Sequence, residues 1–145
     1  MNVILAESAG FCFGVQRAVD VVEKQINEGT APLYTYGPII HNEEVVKKFE
    51  ANGVKVMEEG TASEYAPGTV IIRSHGVTRA VEEGLKGLGH KIIDATCPFV
   101  KKIHRAVDEH SKAGEHIVII GNPDHPEQGL TKGVPGYRKC PVPSI

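Results

Sequence analysis

The chain has 145 residues, 41% of them apolar and 23% charged, with no tryptophan and a formal net charge of −2. That is enough for one ordinary domain, or one domain and part of another, with a sizeable buried core. The near-neutral balance, without a long run of like charge, argues against a nucleic-acid binder and makes a small neutral or phosphorylated molecule the easier partner.

The opening residues MNVILAES have no basic segment and carry Glu7, so they read neither as a signal peptide nor as a membrane span, and the chain is expected in the cytoplasm. NVILA (2–6) reads as a buried strand. Val15, Ala18, Val19, Val22 and Ile26 then mark one face of a helix that stops near Gly29. LYTYG (33–37) is a second strand, followed by a helix with Asn42 as N-cap and Glu43 and Glu44 in its first turn. VKVM (54–57) is a short strand, EEGTASEYAPG a loop, and TVIIRS (69–74) the strongest strand pattern in the chain. Val77, Val81, Leu85 and Leu88 define a third helix despite Gly84 and Gly87. KIIDA (91–95) is a strand, and Thr96 is placed to cap a helix with Pro98 in its first turn and Val100, Ile103 and Val107 on one face. HIVIIG (116–121) is the last clear strand. After Glu127 neither period persists, and QGLTKGVPGYRKCPVPSI reads as an irregular tail. Alternation of strand and helix predicts an α/β fold with parallel, doubly wound sheets.

The chemically able residues fall between strand ends and the helices that follow. Cys12 comes after the first strand, His41 after the second, Ser74 and His75 after TVIIR, Cys97 after KIIDA, and His125 with Glu127 after HIVIIG. In open α/β sheets that edge gathers loops and helix N-termini, and ligands bind there. A cysteine near a strand end is more often a small buried hydrophobe, and a lone loop histidine is usually just solvated. His90, His104, His110 and His116 are left to such ordinary roles, whereas five successive loops bearing Cys or His on one edge point to a site. Helix N-termini favour thiolates, which are soft ligands for iron or zinc. Histidines with helix amides suit a phosphate or diphosphate, and Glu127 beside His125 can deliver a proton. Gly10 and Gly14 allow close backbone approach to a bulky ligand, and Phe11 and Phe13 are placed to exclude water. The cysteines Cys12, Cys97 and Cys140 are odd in number, widely spaced and without a C-x-x-C, which makes a poor disulfide framework.

Taken together, GFCFGVQRA, GPIIHN, RSHGV, DATCPFV and GNPDHPE resemble the 4-hydroxy-3-methylbut-2-enyl diphosphate reductases, iron–sulfur enzymes of the non-mevalonate isoprenoid pathway, from residue 1 to about Glu127. The resemblance implies a 4Fe–4S cluster held by three cysteines, two of which map onto Cys12 and Cys97. It implies that His41, His75 and His125 bind the diphosphate and line the pocket, that Glu127 delivers the proton, and that ferredoxin or flavodoxin supplies electrons one at a time. It also implies a protein about twice as long, built from three similar α/β domains. On that plan residues 1–96, with the N-terminal strand, are the first domain, 97–127 begin the second, and 128–145 are a tail that departs from the family. Cys140 comes too early to be the third cluster ligand, which is expected to be absent from this chain. Two other readings of the same residues stay open: a Cys/His zinc-dependent hydrolase, against which stands the lack of H-E-x-x-H, and a non-catalytic anion-binding α/β module.

Overall fold

The computed structural model describes residues 2–7, 9–121 and 137–141, of which 119–121 and 137–141 are described by their backbone. In chain order the elements are α1 (Phe13–Asn27), β1 (Leu33–Tyr36), α2 (Glu43–Ala51), β2 (Val54–Met57), a single 3-10 turn (Ala62–Glu64), β3 (Thr69–Ile72), α3 (Arg79–Gly87), β4 (Lys91–Asp94), α4 (Pro98–Lys112), β5 (Ile117–Gly121) and β6 (Tyr137–Pro141). The first four strands form an all-parallel sheet in the order β2-β1-β3-β4, with Leu33 opposite both Val54 and Thr69, and Thr69 opposite Lys91. β5 and β6 form a separate parallel pair.

The two inner strands are buried at every position, as expected where helices cover both faces of a parallel sheet. Side chains alternate between the faces. Leu33, Val54 and Ile71 meet Ala18, Val19 and Val22 of α1 and Phe49 of α2 on one side. Tyr34, Tyr36, Val70 and Ile72 meet Leu85 of α3 on the other, with Val81 and Tyr65 packed at the margin. Because α2 and α3 leave the sheet on opposite faces, the winding direction reverses between β1 and β3. In open parallel sheets the carboxyl ends of strands flanking such a reversal are where ligands bind.

The strands and helices from residue 33 to 121 follow the sequence pattern to within about two residues. Four expectations are corrected. Residues 2–6 form no strand, and Val3, Ile4 and Leu5 are 81–92% exposed: the run pairs with neither of the sheet's outer edges, β2 or β4, and packs on no core cluster of the described residues. Cys97, not Thr96, is the N-cap of α4, because Cys97 is still non-helical and precedes Pro98, whose fixed φ suits the first helical position. A one-turn 3-10 helix interrupts the 58–68 loop. Within the tail, 137–141 is a strand rather than irregular, running parallel to β5 with Pro141 at its last position, where a missing N–H is tolerated.

Ile71 lies at the centre of the inner strand β3 and is fully buried. Ile71→Ala is expected to lower the unfolding free energy by about 2–5 kcal/mol, read from urea denaturation followed by circular dichroism.

Candidate functional site

The carboxyl edge of the four-stranded sheet carries the residues singled out by sequence. β1 runs into Ile39, Ile40 and His41; β3 into Ser74 and His75; β4 into Thr96 and Cys97. Backbone hydrogen bonds stitch these connections together. Cys97 N donates to Ser74 O at 2.9 Å, and Ser74 N donates to Ile39 O at 3.3 Å. The loops after β1, β3 and β4 are therefore held in one layer with the buried Ser74 at its centre. The imidazoles of His41 and His75, on the connections after β1 and β3, meet with ring centroids 4.9 Å apart and planes tilted by 48°.

Cys12 reaches this edge by a different route. No strand precedes it, and it caps α1, whose first turn lies against Cys97: a Cβ at Gly14 would run into Cys97 Sγ and stand 3.0 Å from Cys97 Cβ. Only glycine at 14 lets the two helix starts approach so closely. Arg17, one turn further along α1, reaches across to the same connection, with Nη1 donating to Thr96 O at 3.1 Å and Nη2 to Asp94 O at 3.4 Å. Asp94 closes a tight turn by accepting from Thr96 N at 2.8 Å on Oδ1, and pairs with Lys101 of α4 through Oδ2. Burial pulls the Asp94 pKa up, but the hydrogen bonds from Lys101 and Thr96 outweigh burial and hold the carboxyl below its ordinary value.

The caps distinguish the helices at the site from those that frame it. Asn42 Oδ1 accepts from Val45 N at the start of α2, and Thr78 Oγ1 from Val81 N at the start of α3. Cys12 and Cys97 make no such bond, and neither α1 nor α4 has an acidic residue in its first turn, whereas α2 and α3 both do. The positive ends of α1 and α4 are thus left for an anionic or thiolate-bound group. Neither thiol is in a disulfide; Cys12 is exposed and Cys97 half-buried. Among the described residues no group of three or more His, Cys, Asp or Glu is placed to hold a metal ion. The two free cysteines at uncapped helix starts, joined through the Gly14–Cys97 contact, nevertheless have the donor chemistry of part of an iron–sulfur ligand set.

Cys97, Ser74, His41 and His75 lie on connections at one sheet edge, Cys12 is the N-cap of the helix whose Gly14 touches Cys97, and His125 and Glu127 lie outside the described residues. The expectation that Phe11 and Phe13 exclude water from the thiols is corrected: they are 42% and 65% exposed, with Phe99 at 67%, because nothing among the described residues packs over the starts of α1 and α4. Sequence reasoning missed Arg17 and Asp94. Arg17 was legible as the residue three after Gly14, on the same helix stripe, and Asp94 as the Asp two before Thr96 in an Asx turn. His90, set aside as ordinary, is buried, with Nδ1 accepting from Gly68 N at 3.3 Å and its ring edge-on to Tyr34. A cleft of about 470 Å³ between α3 and α4 is not an anion site, since its cations Arg79, Lys86 and Lys101 are paired with Glu83, Glu82 and Asp94.

The sequence profile of the LytB protein family matches residues 3–142. The chain belongs to this family. The match runs past Glu127, so the LytB likeness reaches further along the chain than the five motifs do. The LytB chain is 45% identical over 142 residues to the 4-hydroxy-3-methylbut-2-enyl diphosphate reductase of Aquifex aeolicus, covering 97% of this chain and 47% of that protein. It is 47% identical over 129 residues to the same-named protein of Caldanaerobacter subterraneus, covering 88% and 45%. A solved structure of (E)-4-hydroxy-3-methyl-but-2-enyl diphosphate reductase, the terminal enzyme of the non-mevalonate pathway, matches with a TM-score of 0.82 at 41% identity, over 99% of this chain and 51% of that one. The Plasmodium falciparum E-1-hydroxy-2-methyl-but-2-enyl-4-diphosphate reductase matches with a TM-score of 0.83 at 32% identity, over 92% and 42%. The LytB chain thus spans about half the length of the relatives it matches. No helix of its described residues is long and apolar enough to cross a membrane.

Gly14→Ala is expected to lower stability by about 1–3 kcal/mol through overpacking against Cys97, outweighing the roughly 1 kcal/mol by which alanine ordinarily improves a helix over glycine; thermal unfolding checks the sign. The lowered Asp94 pKa gives a second expectation. Its contribution to stability is fully present above the unfolded-state pKa and is lost as pH falls through the folded-state pKa. Asp94→Asn should therefore flatten the acid limb of stability against pH, measured as the urea midpoint from neutral pH downward.

Proposed function

We propose that this LytB chain carries part of an iron–sulfur reductase that converts 4-hydroxy-3-methylbut-2-enyl diphosphate to isopentenyl and dimethylallyl diphosphate. The observation that carries this reading is the contact of the α1 start with Cys97 at Gly14; Cys12 is the N-cap of that helix, and the loops after β1 and β3 carry the His41–His75 pair. Cys12 and Cys97 hold a 4Fe–4S cluster together with a third thiolate from outside the described residues. When bound, the cluster supplies one-electron transfer and Lewis-acid polarisation of the substrate hydroxyl. His41 and His75 donate to the diphosphate, and the uncapped amides at the starts of α1 and α4 add their positive potential. His125 joins them, Glu127 gives the proton that leaves with the hydroxyl as water, and a second proton, from solvent, goes to an allylic carbon, at one end giving isopentenyl and at the other dimethylallyl diphosphate. Ferredoxin or flavodoxin supplies two electrons in single steps, and the reaction is placed in the cytoplasm. Residues 1–96 are the first α/β unit of the protein, and 97–127 open the second.

With two thiolates gathered, the 145-residue chain alone is expected to hold no intact cluster and to show no turnover with dithionite and methyl viologen. Residues 1–127 joined to the remaining part of the Aquifex aeolicus reductase should, after anaerobic reconstitution, bind about four irons per chain and reduce the diphosphate. In that chimera Cys12→Ser and Cys97→Ser should each lose the cluster. Glu127→Gln should keep it while slowing turnover by about 10²–10⁴-fold. Retention of zinc in place of iron and sulfide would refute the reductase in favour of a hydrolytic site.

A further inference from the structure

α2, α3 and α4 each begin one short connection after a strand, so the sheet itself fixes where their first turns point. α1 lacks that support, because residues 2–7 lie outside the sheet. Its buried stripe of Ala18, Val19 and Val22 holds the helix on the core, and because the hydrophobic force behind that burial carries no direction of its own, a directional bond near the first turn adds a constraint that burial alone does not supply. The Gly14 contact permits close approach to Cys97 without setting its angle.

Arg17 supplies the missing direction. Its planar guanidinium spans two carbonyls, Thr96 O and Asp94 O, in the segment leading directly into Cys97. Those carbonyls are themselves fixed, since Asp94 Oδ1 accepts from Thr96 N and Cys97 N donates to Ser74 O. The Asp94 carboxylate is engaged by Thr96 N and Lys101, which leaves the backbone oxygens to Arg17. A lysine would offer a point charge where the observed fork makes two bonds in one plane. We infer that Arg17 is a positioning residue that sets the separation and mutual orientation of the Cys12 and Cys97 thiols. The inference rests on reading those thiols as a shared ligand pair, and it assigns to the α1–β4 clamp the task that a strand performs for the other helices.

The test needs no metal. In the full chain carrying Cys140→Ser, bridging of Cys12 and Cys97 by dibromobimane, which fluoresces strongly only after reacting with two thiols, is compared with single alkylation by monobromobimane and with the thermal midpoint. Arg17→Gln is expected to slow bridging about tenfold relative to single alkylation, while single alkylation changes less than twofold. Arg17→Lys should recover part of the loss. An unchanged bridging ratio in Arg17→Gln overturns the inference, and so does a fall in bridging that merely follows the thermal midpoint across both variants. If Arg17→Gln does not fold, Arg17→Lys decides by the same ratio: a drop supports the clamp, and a parental ratio overturns it. Iron and sulfide bound by the chimera with intact Arg17 are scored separately, so failure of the cluster reading is distinguishable from failure of the clamp.

Discussion

The site depends on a single close approach, that of the first turn of α1 to the side chain of Cys97. No residue with a Cβ fits at position 14 without moving Cys97, so the absence of a side chain there is a geometric requirement. Around this contact the other features fall into place. α1 lies beside α2 on one face of the sheet, where Lys48 pairs with Glu23 at 2.8 Å, and its start meets the end of β4. The loop layer centred on Ser74 then carries the arrangement across to His41 and His75.

Much of this was legible before the fold was seen. The central strands are short apolar runs bounded by turn residues, and the helices carry clear amphipathic stripes, so β1 to β4 and α1 to α4 follow from periodicity. That Cys97, His41 and His75 share an edge follows from the rule that chemistry collects at the carboxyl ends of parallel strands. What could not be read is tertiary. NVILA has the composition of a strand, but a strand exists only where a partner pairs with it, and composition does not reveal that this run joins neither outer edge of the sheet. Tyr137–Pro141 shows the converse, a segment without periodicity that pairs because Ile117–Gly121 presents an edge. The helix stripe shared with Gly14 marks where Arg17 faces, but its partners are backbone carbonyls, so sequence pattern does not show what it binds.

The four helix starts divide the labour of the sheet. Asn42 and Thr78 satisfy their own first-turn amides, close their helices off and contribute to stability. At α1 and α4 a thiol occupies the cap and that stabilisation is forgone. Local destabilisation of this kind is expected where a ligand, rather than a side chain, is meant to complete the helix end. Both uncapped starts belong to the helices that the Gly14 contact brings together.

All pairings in the four-stranded sheet are parallel, and this has a consequence for synthesis on the ribosome. One core face joins Ala18 and Val22 to Leu33, Ile71 and Ala95, so it cannot close until the chain has emerged beyond the end of β4. No hairpin is available to shelter the early strands meanwhile, because each parallel partner arrives only after a crossover. β1 and β2 can pair once Met57 is made, but the α1 face of that first unit stays uncovered until β3 and the end of β4 arrive, so strand order alone sets how long its apolar residues wait for their partners.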